Sequence, residues 1–384
     1  MANVQTKFSL VKTLFVHWAG RITMRPAITI STHSLPPPML PTDEMAPPLV
    51  SPPTLADAEF SAALATAEDP SAAPEERAEM LMEIAQGLQT RPRSPQQLHD
   101  AVALYRRALS LLPAGPGLLR ARIEAREGTA HQALPDGGVE SMLAARACFE
   151  RARPALADGG SPEEVAELDM NLGLVEQALA GAHRARIQDA IAHYHRALKV
   201  FSAAGWPREF AILHNNLAIA YLSIPASDER ARMREALAVQ SFEQVLQIIT
   251  LVDHPTEYAM TQNNLGNALQ YAPSSHPVAN LLRSIEAYDE ALKVRNPQDT
   301  PAEYANTAAN KANALLNLPD DPAHPELGNP GNRAKARALY VEALRLFQRL
   351  GHGDAAQMVM QVLADLDGGE AEFAASRVPG SPAH

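Results

Sequence analysis

Small and aromatic side chains recur along this chain with the spacing of one helical face. The pattern is Ala-xxx-Tyr/Phe-xx-Ala, whose three residues fall at i, i+4 and i+7 and therefore share one side of a helix. It occurs six times, with Val245 and Ser284 as departures: Ala101/Tyr105/Ala108, Ala145/Phe149/Ala152, Ala190/Tyr194/Ala197, Ala238/Phe242/Val245, Ser284/Tyr288/Ala291 and Ala336/Tyr340/Ala343. Small residues at both ends let a neighbouring helix approach, and the ring fills the space between them. The pattern predicts six such helices between residues 74 and 366.

A second helical stripe precedes these helices and pairs a large apolar residue with a small one. It reads Leu172-Gly173, Leu217-Ala218 and Leu265-Gly266, whereas Glu127 precedes Gly128 and Lys311 precedes Ala312 where leucine is expected. Prolines open four of these segments, and Pro162, Pro207, Pro255 and Pro301 lie 45, 48 and 46 residues apart. Each repeat therefore has two helices, which we name helix A (the leucine stripe) and helix B (the aromatic pattern).

In each repeat a leucine is followed by glycine or alanine, and an aromatic residue between two small residues comes later. This order resembles the tetratricopeptide repeat. The strings NNLA and NNLGN are most similar to its kinesin-light-chain and Pins/LGN-type branches, and the resemblance covers residues 74–366. It implies an all-α solenoid, a right-handed superhelix of about six helix pairs with a C-terminal capping helix. The period is longer than the ~34 residues usual for this repeat, which predicts longer helices and variable A–B turns.

Helix boundaries carry their own signals. Ser161-Pro162-x-Glu164 and Thr300-Pro301-x-Glu303 have the form of capping boxes, in which a hydroxyl accepts from a free N–H and the glutamate reaches back. Proline at the first helical position loses no hydrogen bond. Residues 352–366 are expected to form the capping helix, and the Gly-, Ala- and Pro-rich segment 367–384 a disordered tail.

Residues 1–73 differ in composition from the repeats and are predicted to form a disordered arm. Residues 1–25 carry four basic and no acidic residues, and eight prolines between Pro36 and Pro53 favour an extended linker. A short helix is predicted at 55–67. Three interpretations of residues 1–45 remain open: a targeting or interfacial segment, a disordered arm, or an upstream start whose true beginning is a later methionine.

Composition excludes several classes of function. A net charge of −11 argues against non-specific nucleic-acid binding. The single cysteine, Cys148, excludes an intramolecular disulfide framework and is expected to be a buried small hydrophobe. No run approaches the ~20 apolar residues of a membrane span, and a cytoplasmic location is expected. P-loop, GxGxxG, HExxH and GxSxG motifs are absent from the sequence, so no catalytic residue, cofactor or metal ligand is predicted and the protein is not expected to be an enzyme.

The resemblance implies that the A helices line a concave groove, and it maps the groove positions onto an asparagine-rich row. These positions are Glu83, Arg126, Asn171, Asn216, Asn264 and Asn310, with Asn215, Asn263, Asn267, Asn306 and Asn313 beside them. Asparagine disfavours helix interiors, so its recurrence needs a reason. One reason is that an amide can pair with the N–H and C=O of an extended peptide. The other is that each amide bonds an adjacent helix or a loop carbonyl and holds the stack together.

The first interpretation predicts a scaffold or adaptor that binds a segment of another protein, centred on the fourth and fifth repeats. Toward the start of the groove, Glu79, Glu83, Arg122 and Arg126 replace asparagine with charge. Two alternatives are a regulatory or sensory module that binds a small ligand and an accessory chaperone of one enzyme. Self-association through exposed end repeats is a further possibility.

Overall fold

A computed structural model describes residues 61–376, except for 62–63, 66, 68, 70, 91, 136, 225–228 and 272–276. The described residues fall into two compact units that divide after Val200, and each unit is considered by itself. All regular structure in the described ranges is helical, so the prediction of an all-α helical-repeat solenoid is confirmed. The basic and proline-rich segments lie outside the described residues, and so does most of the short helix predicted at 55–67.

Helices A and B alternate along the chain as the sequence predicts. The unit that ends at Val200 contains α1 (Pro74–Thr90), α2 (Pro95–Leu111), α3 (Leu118–Ala133), α4 (Gly138–Gly159), α5 (Pro162–Gly181) and α6 (Ile187–Ala197). The unit that begins at Phe201 contains α7 (Pro207–Ser223), α8 (Glu229–Leu246), α9 (Pro255–Tyr271), α10 (Pro277–Leu292), α11 (Pro301–Asn317), α12 (Pro330–Arg349) and α13 (Gly353–Ser376). Odd-numbered helices up to α11 are the A helices, and each packs on the B helix that follows it. The predicted capping helix is α13, which continues past residue 366 to Ser376.

Glycine in the leucine stripe is explained by the ring of helix B. A Cβ atom on Gly173 would lie 2.4 Å from Cε1 of Tyr194, and one on Gly266 would lie 2.5 Å from Cε1 of Tyr288. Distances this short are within van der Waals overlap, so the backbone of helix A approaches the ring closely only because the side chain is missing. Both rings are fully buried. The two sequence stripes are therefore the two halves of one contact.

The buried tyrosines also carry a hydrogen bond that links helix B back to helix A. Tyr105 donates to Gln89 Oε1 at 2.9 Å, and Tyr194 donates to Gln177 Oε1 at 3.0 Å. Where the ring is Phe149 and has no hydroxyl, Gln132 donates instead to the carbonyl oxygen of Asn171 at 3.0 Å. A buried hydroxyl needs a partner, and glutamine of helix A supplies it.

One predicted capping box is confirmed and the other is wrong. Ser161 accepts from the Glu164 N–H at 3.2 Å, and Glu164 accepts from the Ser161 N–H at 2.9 Å. Thr300 does not cap α11 with its side chain. Its hydroxyl accepts from the Asn296 N–H at 3.0 Å and donates to the Asn296 carbonyl at 3.3 Å. The preceding loop competes for this hydroxyl, which the four-residue motif does not reveal.

Candidate peptide-binding surface

The asparagine row lies on the A helices, as predicted, but its members differ in exposure. In the unit from Phe201, α7 carries Asn215 and Asn216, α9 carries Asn263, Asn264 and Asn267, and α11 carries Asn306, Asn310 and Asn313. The five residues on α7 and α9 are only 1–8% exposed. The three on α11 are half-buried. Accessible amide surface on this row is therefore concentrated on α11, and the amides of α7 and α9 are mostly enclosed.

Several amides of α9 and α11 already bond to groups within the repeats. Asn310 Nδ2 donates to Asn263 Oδ1 at 3.3 Å and so links α11 to α9, and Asn263 Nδ2 lies 3.5 Å from Asn264 Oδ1. Asn267 Oδ1 accepts from the Tyr288 hydroxyl at 2.7 Å. These contacts match the second interpretation of the row, in which asparagines hold neighbouring helices together. They leave Asn263 and Asn267 with few hydrogen-bonding groups available to a ligand.

The amides of α7 have a different environment. Both side-chain polar atoms of Asn215 and the Nδ2 atom of Asn216 are buried and have no hydrogen-bond partner among the described residues. An amide left in this state costs about 1–3 kcal/mol relative to a satisfied one. Native proteins leave few such groups, and each needs an explanation. A ligand that donates and accepts hydrogen bonds along α7 is one explanation.

In the unit that ends at Val200, the predicted groove residues lie on α1, α3 and α5. Glu83 on α1 is exposed, whereas Arg126 on α3 and Asn171 on α5 are half-buried. Arg122 reaches from α3 to α5 and contacts both carboxylate oxygens of Glu164, at 2.6 and 3.2 Å. This bidentate pair lowers the pKa of Glu164, mainly through the hydrogen bond from Arg122. The A helices of this unit thus carry charge, in agreement with the sequence.

Sequence reasoning missed a buried charged cluster in the same unit. Glu127, His131 and Cys148 are each at least nine-tenths buried, and their potential ligand atoms lie within 4.8 Å of one another. Arg106 Nε contacts Glu127 Oε1 at 2.9 Å, and Arg151 Nη2 contacts Cys148 Sγ at 3.2 Å. Guanidinium groups therefore occupy the lone pairs that a cation would use. This geometry favours an ion-pair network over a metal site.

The pKa values of the cluster agree with this assignment. Burial raises the pKa of Cys148 to about 12, so its thiol is protonated at neutral pH. Burial also acts to raise the pKa of Glu127, but hydrogen bonds from His131 and Arg106 outweigh it and the pKa lies below its usual value. The sequence signal that could have revealed the network is the glutamate at a leucine position, because a buried carboxylate requires cationic partners.

Together these features define an all-α helical-repeat protein whose A helices carry a row of polar side chains. No protein-family model matches the sequence, and no curated protein has significant similarity to it. Within the described residues, no helix is both long and apolar enough to cross a membrane.

Proposed function

We propose that this protein is a non-catalytic scaffold or adaptor that binds an extended segment of another protein along its A helices. The observation that carries the proposal is the set of unpaired, buried amide atoms of Asn215 and Asn216 on α7. Kinship with the tetratricopeptide repeat is part of the same proposal, since proteins of that fold bind peptides on their A helices. A cytoplasmic location is also part of it and agrees with a single free cysteine.

The chemistry of α7 suits a peptide backbone. A side-chain amide has two donors and an acceptor, so one asparagine can bond both the N–H and the C=O of a residue in an extended segment. Ile212 is half-buried one helical turn before Asn216 and lies on the same face of α7. An apolar side chain of the bound segment can pack there. We therefore place the centre of the site on α7, in the fourth repeat. Because Asn215 and Asn216 are buried, a peptide reaches their amides only if the side chains that cover them move aside.

The asparagines of α9 and α11 have a supporting role in this proposal. The Asn310–Asn263 hydrogen bond at 3.3 Å fixes the spacing of two successive A helices. A fixed spacing pre-organises the surface and lowers the cost of ordering it on binding. Asn306 and Asn310 are half-buried and extend the polar row beyond α9.

The test uses the full chain and a phage-displayed peptide library as the source of ligand. Selected peptides are labelled, and their Kd is measured by fluorescence polarisation for the wild type and for N215A/N216A. We expect the double variant to weaken binding at least tenfold, because it removes the amides proposed to pair with the peptide. The matched control is Asn317→Ala, an exposed asparagine on α11, which should leave Kd unchanged.

Thermal unfolding of the same variants separates binding from stability. Because the α7 amides have no partners to lose, N215A/N216A should keep the wild-type Tm or raise it. Asn267→Ala should lower Tm, because it leaves the buried Tyr288 hydroxyl with one acceptor fewer. Equal peptide affinity of wild type and N215A/N216A would show that the α7 amides do not contact the peptide. A large loss of Tm in that variant would show that these amides stabilise the fold instead.

A further inference from the structure

The A-helix face that carries the asparagine row is open on some repeats and enclosed on others. It includes the residue one before and the residue two after the leucine position, which lie three apart on one side of the helix. Both are half-buried on α3, α5 and α11, as Arg126 and Thr129, Asn171 and Leu174, and Asn310 and Asn313. Both are buried on α7 and α9, as Asn216 and Ile219, and Asn264 and Asn267. The structure therefore covers this face on α7 and α9 but not on α3, α5 or α11.

The amides of α7 are covered without being bonded. Both polar side-chain atoms of Asn215 and the Nδ2 atom of Asn216 have no hydrogen-bond partner among the described residues. Between α9 and α11 the amides bond each other directly, since Asn310 Nδ2 donates to Asn263 Oδ1 at 3.3 Å. The equivalent bond from Asn264 to Asn215 is not made. The face on α7 and α9 thus lacks a polar partner that the next repeat has.

Two carboxylates at the border of the same face also lack the partner that their equivalent has. Glu164, two residues after the first proline of α5, pairs with Arg122 of α3 at 2.6 and 3.2 Å. The corresponding glutamates of α9 and α11 are Glu257 and Glu303. At the position of the arginine, the helices that precede them have Ile212 and Met260. Both glutamates are exposed, and neither forms an ion pair within the described part of the chain.

Carboxylates, apolar side chains and amides therefore lie side by side on this surface. Glu257, Met260 and Asn264 are at i, i+3 and i+7 of α9 and share one side of the helix. A segment that complements the surface has basic and apolar side chains and a backbone that can bond the amides. Residues 1–25 have this composition, with four basic and no acidic residues around the apolar run SLVKTLFVHWAG.

The length of the chain allows this contact. Ser61 is the first described residue, and the chain between Arg25 and Ser61 can span up to about 120 Å when fully extended. Residues 1–25 are therefore not confined to the neighbourhood of α1. The turns after α7 and α9 are poorer candidates for the cover, because they begin about 10 Å along the helix axis from Asn216 and Asn264.

We propose that residues 1–25 of this chain dock on the face of α7, α9 and α11 and close the peptide site until another ligand displaces them. Basic side chains of the segment pair with Glu257 and Glu303, and its apolar side chains pack on Ile212 and Met260. Its backbone bonds the amides of α7. A tethered segment competes at a high effective concentration, so it raises the Kd of an added peptide. The competition rests on the proposed function, whereas the docking does not.

The experiment uses the two tryptophans of the full chain, Trp18 in the segment and Trp206 at the start of α7. Trp206→Phe leaves Trp18 as the single indole. Its emission should be that of a buried indole and should resist quenching by acrylamide. K7E/K12E in this background should shift the emission to longer wavelength and raise the quenching constant at least twofold, because like charges then face each other.

An exchange of charges locates the contact. E257K/E303K should also release Trp18, because it places cations opposite the basic segment. Combining it with K7E/K12E should restore the protection of Trp18, since opposite charges face each other again. Circular dichroism and Tm of each variant check that the fold is kept.

Two controls test the specificity of the contact. E326K/D354K makes the same change of charge at exposed carboxylates outside the A helices and should leave Trp18 protected. Dilution from about 50 to about 0.5 µM should also leave it protected, because an intramolecular contact does not depend on protein concentration.

Three results would overturn the docking. They are a Trp18 that is quenched as readily as in the urea-unfolded chain, protection that E257K/E303K leaves unchanged, and protection that is lost on dilution. The last result would assign the face to the segment of a second copy. Protection that is lost in K7E/K12E and regained in the combined variant supports the docking.

The Kd of the library-selected peptides separates this inference from the proposed function. If K7E/K12E lowers that Kd at least tenfold, the result supports both. Peptide binding with an equal Kd in both proteins and an unprotected Trp18 refutes the docking alone. A protected Trp18 in a chain for which neither protein binds any selected peptide refutes the proposed function alone.

Discussion

Glu127 and Lys311 have the same repeat position, where three other repeats have leucine, yet their surroundings differ. Glu127 on α3 is 3% exposed, and Arg106, His131 and Arg151 converge on it at 2.9, 3.6 and 3.9 Å. Lys311 on α11 has one carboxylate partner, Asp289, and its stem lines an open pocket. The charge of Glu127 is enclosed by a network, and the charge of Lys311 is paired near the surface, beside an open depression.

The difference follows from the length of the two side chains. Glutamate at this position is too short to bring its carboxylate to solvent, so polar partners from α2, α3 and α4 must come to it. Lysine can lay its aliphatic stem along apolar surface and carry its charge to the edge. A charged residue at a core position of a repeat can therefore be accommodated in two ways. The first is a buried network, and the second carries the charge to the surface.

The largest expected effect comes from removing the partners of Glu127. R106A/R151A leaves the buried carboxylate with only His131 beside it. Both arginine side chains are more than half exposed, so the free energy of unfolding, measured by urea denaturation, should fall by less than the about 3–5 kcal/mol of a fully buried pair. In a Glu127→Leu background the same two substitutions should cost much less. Equal costs in the two backgrounds would mean that the arginines stabilise the fold without the carboxylate.

A smaller effect is expected from restoring leucine at each charged position. Lys311→Leu should stabilise the protein by about 1–2 kcal/mol, because it buries apolar surface in the existing pocket. Glu127→Leu should be close to neutral, since it exchanges a satisfied network for a hydrophobic side chain of similar size. Differential scanning calorimetry of the two single variants compares them directly. A loss of stability in Lys311→Leu would show that the pocket cannot accept the side chain.

The smallest expected effect is a difference between wild type and Glu127→Gln in how the free energy of unfolding depends on pH. Because the folded-state pKa of Glu127 is lowered, its contribution to stability is present above the unfolded pKa of about 4.5 and is lost as the pH falls through the folded value. Wild type should therefore lose more stability than Glu127→Gln as pH falls below about 5. Shared carboxylates such as Asp169 cancel in this difference. Urea melts of both proteins between pH 6 and pH 3 measure it, and parallel curves would contradict the lowered pKa.

Much of the fold is predictable from the sequence because its signals are local. The spacing of Tyr194 and its flanking alanines defines a helix face, and Gly173 marks the backbone that the ring approaches. The Ser161 capping box is equally local and forms as predicted. Thr300 has the same motif but bonds to Asn296 instead, because a competing acceptor and donor lie four residues upstream. Local patterns predict a contact only when nothing nearby competes for the same atoms.

The candidate site is less predictable. The sequence places asparagines on successive A helices, but whether an amide is available depends on partners from other helices. Asn267 is engaged by Tyr288, which lies 21 residues away, and Asn263 by Asn310, which lies 47 residues away. Asn215 has the same sequence context as Asn263 and no partner among the described residues. Only the packing of neighbouring repeats distinguishes them.

The sequence by itself determined the helical repeat, the alternation of A and B helices and the positions where charge replaces leucine, because periodicity and capping act within a few residues. The tertiary structure alone decided which asparagines are bonded, how Glu127 is neutralised and which carboxylate pairs with Lys311. Hydrogen bonds and ion pairs depend on atoms that the chain brings together from distant positions. Their outcome is fixed only when the helices have packed.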